Sequence, residues 1–175
     1  MVKDVIQAKE KSREHFDGVA GHYDASYAGK HSRTMYEGVL QNISMFPHNT
    51  ILDVGCGTGN LLSTIPRETA TRLYGVDLSP EMVRLAGQKL GPDAEIKVGD
   101  SEDLPWPVSS FDIVCCTDSF HHYPRPEKVL QEMKRVLKPG GHLIIGDPWA
   151  PVPFRQTANV KALAGRSRRL PLVSG

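Results

Sequence analysis

The stretch that decides the fold is residues 51–60, which read ILDVGCGTGN. The apolar run Thr50–Val54 is typical of a buried strand, and a helical pattern begins at about Asn60. The glycines between them allow a tight turn and let a ligand approach the backbone closely, because they carry no Cβ. A strand, a glycine-rich turn and a helix in this order predict the start of a ligand-binding α/β unit.

The same alternation of short apolar runs and helical patterns continues along the chain. Further strands are predicted at 72–77, 95–98, 112–116 and 142–146, and helices at 79–90 and 127–137, with the second ended by Pro139-Gly140-Gly141. Residues 32–46 form one amphipathic helical pattern, and residues 1–30 form a helical or irregular extension. Strands alternating with helices predict an α/β fold: a doubly wound, Rossmann-like and mostly parallel sheet with a ligand crevice at the carboxyl ends of its strands.

Composition excludes several classes of protein. Hydrophobic residues make up 39% of the 175 residues and charged residues 23%, as in ordinary globular domains. The formal net charge of +1 gives no reason to expect nucleic acid as a partner, and no apolar run is long enough for a membrane span. The charged N-terminus and three cysteines, expected to be free thiols, predict a cytoplasmic location. No spacing resembles a zinc site, so no metal is expected.

Acidic residues lie at or directly after the ends of the first three predicted strands. Asp53 lies two residues before the first glycine, in the pattern D-x-G-x-G-x-G, where a carboxylate favours an ammonium or sulfonium group over a pyrophosphate. Asp77 ends the second strand, where a carboxylate accepts hydrogen bonds from ribose hydroxyls, or alternatively caps the helix that begins after Ser79. The segment Gly99–Glu102 follows the third strand and suits an adenine amino group. Together they predict an adenosine-containing ligand with a positive charge.

These motifs resemble those of class I S-adenosylmethionine-dependent methyltransferases, and most closely the ubiquinone/menaquinone-biosynthesis type. The resemblance covers about residues 15–147 and is carried by Ile51–Gly59, Gly75–Ser79, Gly99–Trp106 with Phe111–Val114, Val136–Gly141, and Phe16–Ala20 with Tyr23 and Asp24. It implies strand order 3-2-1-4-5, with the family's usual strands 6 and 7 absent or incomplete in this chain. It also implies S-adenosylmethionine as cofactor and S-adenosylhomocysteine as product.

The resemblance further implies a role for each matched residue. The methionyl end of the cofactor would be held by Asp53, Gly55, Gly57 and Gly59, and the ribose by Asp77, with Leu78 and Met82 near the adenosine. The adenine would be flanked by Asp100 and Ser101, the methyl group would lie above Cys116 and Thr117, and Tyr23 would close over the cofactor.

A methyltransferase of this kind moves the methyl group to a small-molecule acceptor by in-line displacement, and the acceptor can require a general base. Three candidates follow the fourth strand: Asp118, His121 and His122. Histidine suits proton transfer near neutral pH. The alternative is that one imidazole bonds to the backbone and the other is exposed. A quinone precursor or a lipid-like molecule is the expected acceptor.

We expect one structural domain with three parts. Residues 1–48 form a helical N-terminal extension, residues 49–147 the cofactor-binding core, and residues 148–175 a basic, proline-containing tail. The tail is either solvated or a surface for an acidic partner. An exposed edge of the sheet would favour a homodimer or a partner chain. The alternative function is a non-catalytic or partner-dependent S-adenosylmethionine-binding module that lacks a complete substrate half, and a nicotinamide-dependent oxidoreductase is disfavoured by the glycine spacing.

Overall fold

The computed structural model describes residues 2–66 and 71–148 and contains a five-stranded parallel sheet. Its strands follow the order β3-β2-β1-β4-β5. The predicted fold class and strand order are therefore confirmed. The expected basic tail lies, apart from Pro148, outside the described residues, as does any strand beyond β5.

The elements follow one another in the alternation that the sequence predicts. The strands are β1 (Thr50–Val54), β2 (Arg72–Asp77), β3 (Ala94–Val98), β4 (Phe111–Thr117) and β5 (Leu137–Gly146). The helices are α1 (Val2–Val19), α2 (Tyr27–Arg33), α3 (Tyr36–Ser44), α4 (Asn60–Thr64), α5 (Pro80–Leu90) and α6 (Pro126–Val136). Short 3₁₀ turns cover Ala20–Ala25, Gly91–Asp93 and Phe120–His122.

The sheet is buried on both faces. On one face, side chains of α3, α4 and α5 pack in a cluster around Ile51 and Ile113. On the other face, three residues of α6 pack around Leu52 and Val114. Burial on both sides explains why β1 and β4 are nearly continuous apolar runs rather than alternating patterns.

Strand β1 is the point at which the strand order reverses. It pairs with β2 on one side and β4 on the other, so that Asp53 lies opposite both Gly75 and Cys115. Connections from neighbouring strands leave in opposite directions at such a point and open a crevice at the carboxyl ends. The loop after β1 therefore forms the floor of this crevice.

The predicted start of α5 is confirmed in detail. The side chain of Ser79 accepts a hydrogen bond from the backbone N–H of Met82 at 3.1 Å, and Pro80 takes the first helical position. A serine cap of this kind stabilises a helix by about 1 kcal/mol.

The prediction of a single helix over residues 32–46 is wrong, because the chain breaks into α2 and α3. The backbone N–H groups of Thr34 and Met35 bond to carbonyls three residues back, at 2.9 and 3.1 Å. The hydroxyl of Thr34 also donates to the carbonyl of His31 at 2.7 Å. Local hydroxyl bonds of this kind compete with helical geometry, and here they end α2.

The expected turn at residues 139–141 is also wrong, because β5 begins at Leu137 and runs through it. Leu137 pairs with Phe111, but His142 pairs with Ile113, so the strand carries extra residues in a bulge. Gly140 has a φ of +79°, which only glycine adopts easily. A proline is tolerated because β5 is the outer strand of the described sheet.

No helix within residues 2–66 and 71–148 is both long enough and apolar enough to cross a membrane.

Candidate functional site

A cleft of about 1030 Å³, partly open to solvent, lies at the carboxyl ends of the strands. Its floor is the glycine loop after β1, and its sides are the ends of β2, β3 and β4. Its roof comes from α1, the turn at Tyr23, α2 and α3. Twelve of the fifteen predicted site residues line it: Tyr23, Asp53, Gly55, Gly57, Asp77, Leu78, Met82, Asp100, Ser101, Thr117, Asp118 and His122.

The glycine loop is closely packed at its start, at Gly55, and open at Gly57. The N–H groups of Gly55 and Cys56 both donate to the carbonyl of Val76, at 2.9 and 3.0 Å. Gly55 has a φ of +78°, and a Cβ there would lie 2.3 Å from the hydroxyl oxygen of Ser119. A Cβ on Gly57 would meet no atom within 4 Å, so this part of the loop faces open space.

Gly59 is not part of the cleft wall, contrary to the prediction. A Cβ on Gly59 would lie 3.0 Å from Leu90 and 3.1 Å from Ala86, both on α5. Its φ of +76° also places it in the left-handed region, at the residue before α4. This glycine is therefore required for the packing of α4 against α5.

Asp53 is a buried carboxylate at the bottom of the cleft, with a residue exposure of 2%. The thiol of Cys115 donates a weak hydrogen bond to it at 3.7 Å. Burial raises the pKa of Asp53 to about 7, and the nearby charge of Asp77 adds to the rise. The ionised form of Asp53 is therefore disfavoured in the ligand-free protein, and a positive group placed beside it would stabilise that form.

Asp77 joins the glycine loop to the start of α5. One carboxylate oxygen accepts from the N–H of Gly57 and the other from the N–H of Ser79, both at 2.9 Å. Ser79 itself caps α5, and Asp77 contacts this cap residue only through its backbone N–H. Burial raises the pKa of Asp77, although these backbone N–H groups act against it.

Asp100 has a partner that the sequence did not indicate. One of its oxygens accepts from the N–H of Glu102 at 2.9 Å, and the other lies 2.6 Å from the Nζ of Lys9 on α1. In the sequence, the spacing of Lys9, Arg13 and Phe16 indicates that they share one face of a helix, and this face lines the cleft.

Cys116 does not line the cleft, although it was expected beneath the methyl group. It is fully buried, and its sulfur lies 3.1 Å from the hydroxyl oxygen of Ser119 and 3.7 Å from that of Tyr123. Successive strand residues point to opposite faces, so only its neighbour Thr117 reaches the cleft. The hydroxyl of Thr117 is buried and has no hydrogen-bond partner among the described residues.

The three candidates for a general base are separated by the structure. Asp118, with a φ of +53°, lines the cleft and accepts a hydrogen bond from the hydroxyl of Ser32. His122 also lines the cleft, with its ring edge-to-face against Phe16. Burial lowers the pKa of His122, and His121 lowers it further, so the ring is neutral near pH 7 and able to accept a proton.

His121 lies outside the cleft. Its Nδ1 is 3.1 Å from a carboxylate oxygen of Asp147, and this contact raises the pKa of His121. Ligand-type atoms of Asp118, His121 and Asp147 all lie within 4.8 Å of one another, a spacing that a metal ion can span. Hydrogen bonds from His121 and from the N–H of Phe120 to Asp147 account for this proximity without an ion.

Asp24 is a second residue whose importance the sequence did not show. Its carboxylate accepts from the hydroxyl of Thr58 at 2.6 Å and the amide of Asn60 at 2.8 Å, and it pairs with Lys89 of α5 at 2.8 Å. It therefore ties the N-terminal extension to the glycine loop. The adjacent Tyr23 lines the cleft, with its hydroxyl 3.4 Å from that of Ser32.

Comparisons with known proteins place the chain in a family. Residues 52–145 match the methyltransferase domain family. The chain is 32% identical to demethylmenaquinone methyltransferase of Chlorobaculum parvum, over 85% of this chain and 65% of that protein. It is 32% identical to the ubiquinone/menaquinone biosynthesis C-methyltransferase UbiE of Geotalea daltonii, over 78% of this chain and 62% of that protein. It spans between about a third and two thirds of the curated relatives it matches.

A solved structure shows the same fold. The complex between the Haloferax volcanii Trm112 methyltransferase activator and the putative methyltransferase superposes with a TM-score of 0.66 and 31% identity, over 75% of this chain and 57% of that chain. The resemblance drawn from the motifs is confirmed: the chain belongs to the class I S-adenosylmethionine-dependent methyltransferase family, and quinone-biosynthesis enzymes are among its curated relatives.

Proposed function

We propose that the chain binds S-adenosylmethionine in the cleft and transfers its methyl group to a small-molecule acceptor. The observation that carries this proposal is the buried carboxylate of Asp53, whose raised pKa makes it a receptor for a cationic group next to an open glycine loop. A pyrophosphate would be repelled by the same carboxylate, which argues against a nicotinamide cofactor.

The residues present fit this cofactor at each of its three parts. Asp53, Gly55 and Gly57 would hold the methionyl end, because Gly57 leaves open space where a side chain would stand. Asp77 would accept from the ribose, and Asp100 from the adenine amino group. The unpartnered hydroxyl of Thr117, at the end of β4, is a polar group that a ligand can satisfy.

Bound S-adenosylmethionine supplies a methyl carbon activated by its sulfonium leaving group. The chain then has to orient the acceptor in line with that carbon and to exclude water. The roof from α1 and the Tyr23 turn excludes water. His122 lines the cleft as a neutral imidazole, which can accept a proton from an acidic hydroxyl or from a carbon acid. Asp118 lines the same cleft.

The acceptor is proposed to be an aromatic small molecule of the hydroquinone type. Phe16, Tyr23, Tyr36 and His122 place four aromatic rings around one end of the cleft. Such rings bind a flat apolar acceptor by stacking and edge-to-face contacts. Two curated relatives, a demethylmenaquinone methyltransferase and a ubiquinone/menaquinone biosynthesis C-methyltransferase, agree with this chemistry.

The cofactor part of the proposal is tested by calorimetry with S-adenosylmethionine and S-adenosylhomocysteine, using NADH as the control ligand. One-site binding is expected for both sulfur nucleosides and none for NADH. The variant Asp77→Asn should bind about 10 to 100 times more weakly, because charged hydrogen bonds of this kind contribute about 1.5–3 kcal/mol. Glu37→Gln, an exposed carboxylate on α3, should bind normally. A folded chain that binds neither nucleoside would refute the proposal.

The transfer step is tested separately with reduced naphthoquinones and isotopically labelled cofactor. Methylation that falls strongly in His122→Ala with unchanged cofactor affinity would support the proposed base. Binding without any transfer would favour the alternative, a module that is completed by a partner chain, as the structural neighbour's complex with an activator illustrates.

A further inference from the structure

The nucleoside half of the cleft is closed on one side by helix α1. Lys9, Ser12, Arg13 and Phe16 all line the cleft, opposite Asp100 and its neighbours. Their spacing of three, four and seven residues places them on one face of the helix. The helix is otherwise exposed, so this face is its contact with the body of the protein.

The C-terminal end of α1 is anchored to the start of α5. Asp17 accepts hydrogen bonds from the hydroxyl of Ser79 and from the N–H of Glu81, the latter at 3.3 Å. Arg13 in turn donates to Asp17 at 2.8 Å within α1. This end of the helix is also joined directly to the 3₁₀ turn at Ala20, which is buried. The helix is therefore fixed where the chain leaves it.

A second anchor lies two turns earlier and consists of one side chain, that of Lys9. Its Nζ lies 2.6 Å from Asp100 and 2.8 Å from Glu102. Arg125 reaches the same carboxylate of Glu102, whose side chain is only 1% exposed. The oxygens of Glu102 have no aligned hydrogen-bond donor among the described residues, so these cations hold it by charge.

Towards its N-terminus, α1 stands away from the body. A groove separates Val5 and Ile6 from Leu78 and Arg125, and Ile6 is 62% exposed. Lys9 is a charged contact that draws the outer part of the helix onto the cleft. Because Lys9 binds Asp100, it acts on the carboxylate that faces the proposed adenine position.

We propose that α1 is the movable wall of the nucleoside subsite and that Lys9 is the positioning residue that holds this wall shut and orients Asp100. This inference rests on the proposed function, because it concerns entry and exit of the same adenine nucleoside. An adenosine bound between Asp77 and Asp100 is enclosed when Lys9 is paired. The nucleoside exchanges when Lys9 leaves the two carboxylates and α1 turns about its anchored Asp17 end.

The test compares Lys9→Met with Lys11→Met on the full chain. Methionine keeps most of the length of lysine and removes only its charge, and Lys11 is exposed two residues further along the same helix. Dissociation of S-adenosylhomocysteine, followed by stopped flow with excess competing nucleoside, should be about tenfold faster in Lys9→Met, since loss of a buried charged partner acts mainly on dissociation. Lys11→Met should dissociate like the wild type.

Two further measurements separate positioning from a general loss of structure. Added salt should speed dissociation from the wild type and from Lys9→Arg, which keeps the charge, but not from Lys9→Met. In the ligand-free protein, hydrogen exchange of α1 amides should be faster in Lys9→Met than in Lys11→Met, while exchange in β1 and β4 stays unchanged.

The outcomes distinguish the inference from the function on which it rests. Normal nucleoside binding with equal dissociation rates in Lys9→Met and Lys11→Met would overturn the inference alone. Faster exchange throughout β1 and β4 in Lys9→Met would also overturn it, because it would mean that Lys9 supports the whole fold. A wild-type chain that binds no S-adenosylhomocysteine would refute the proposed function itself.

Discussion

Replacing Asp53 by asparagine should make the ligand-free protein more stable at neutral pH. Asp53 is almost fully buried at the bottom of the cleft, and the group that donates to it is the weak thiol donor of Cys115. Burial raises its pKa from 3.8 to about 7, so the ionised form is disfavoured in the folded state. Asparagine has nearly the same shape and carries no charge.

The sign and size of the effect follow from proton linkage. Between about pH 4 and pH 7, folded Asp53 keeps a proton that the unfolded chain has released, so stability falls as the pH rises through this window. A shift of about three pKa units corresponds to about 4 kcal/mol above pH 7. Because asparagine does not titrate, this loss is absent in the variant. Allowing for relaxation around the charge, we expect the variant to gain about 2 kcal/mol on the wild type between pH 5 and pH 8.

The assay is thermal unfolding of the ligand-free chain, followed by circular dichroism at pH 5 and pH 8. A gain of about 2 kcal/mol corresponds to a rise of about 4–8 °C in Tm relative to the wild type for a chain of this size. The control is Asp112→Asn. Burial acts to raise the pKa of Asp112, but Lys138 and neighbouring backbone N–H groups outweigh it and lower this pKa to about 2. The loss of stability in Asp112→Asn should therefore be the same at pH 5 and at pH 8.

A constant difference between Asp53→Asn and the wild type across this pH range would refute the reasoning, and so would a loss of stability at pH 8. The same substitution should weaken binding of S-adenosylmethionine, because a neutral amide attracts its positive groups less strongly. Higher stability together with weaker binding in Asp53→Asn would show that the charge of Asp53 serves ligand binding and lowers the stability of the ligand-free protein.

Two further substitutions test the loop and its anchor. Gly55→Ala should abolish nucleoside binding and lower the free energy of unfolding by about 3 kcal/mol in urea titration, because its Cβ would meet Ser119 and its positive φ is unfavourable for alanine. Equal stability to the wild type would contradict this. Asp24→Asn should lower stability by only about 1 kcal/mol, since its pairing with Lys89 is partly exposed, but it should weaken nucleoside binding at least severalfold in calorimetry by releasing Thr58.

Much of the fold was predictable because its signals are local. The apolar runs of β1 and β4, the cap at Ser79 and the glycine turn each depend on residues close together in sequence. The errors occur where tertiary contacts decide. Pro139 and Gly140 are typical turn residues, yet they lie inside β5 as a bulge, between Leu137 and His142, which both pair with β4. No local pattern reports a pairing of this kind.

The candidate site was predictable where strand ends place acidic residues side by side. Asp53 and Asp77 lie at the carboxyl ends of β1 and β2, Asp100 follows β3, and a parallel sheet brings such ends to one edge. The neighbouring histidines show the limit. His121 and His122 are chemically identical in sequence, but one bonds to Asp147 and the other faces the cleft. Their orientation depends on a 3₁₀ turn whose first residue, Phe120, is held through its backbone N–H by Asp147, 27 residues further along the chain.

The roof of the cleft was the least predictable part, and the physical reason bears on its proposed role. Hydrophobic periodicity identifies a helix that packs by apolar burial, but the polar contacts of α1 with the body are made by Lys9 and Asp17. Lys9 meets its carboxylate partner 91 residues away in sequence. Contacts made by charge contribute less net stability than apolar burial and weaken in salt. The wall is therefore held at this point by a single cation, and a bound nucleoside should exchange faster when that cation is removed.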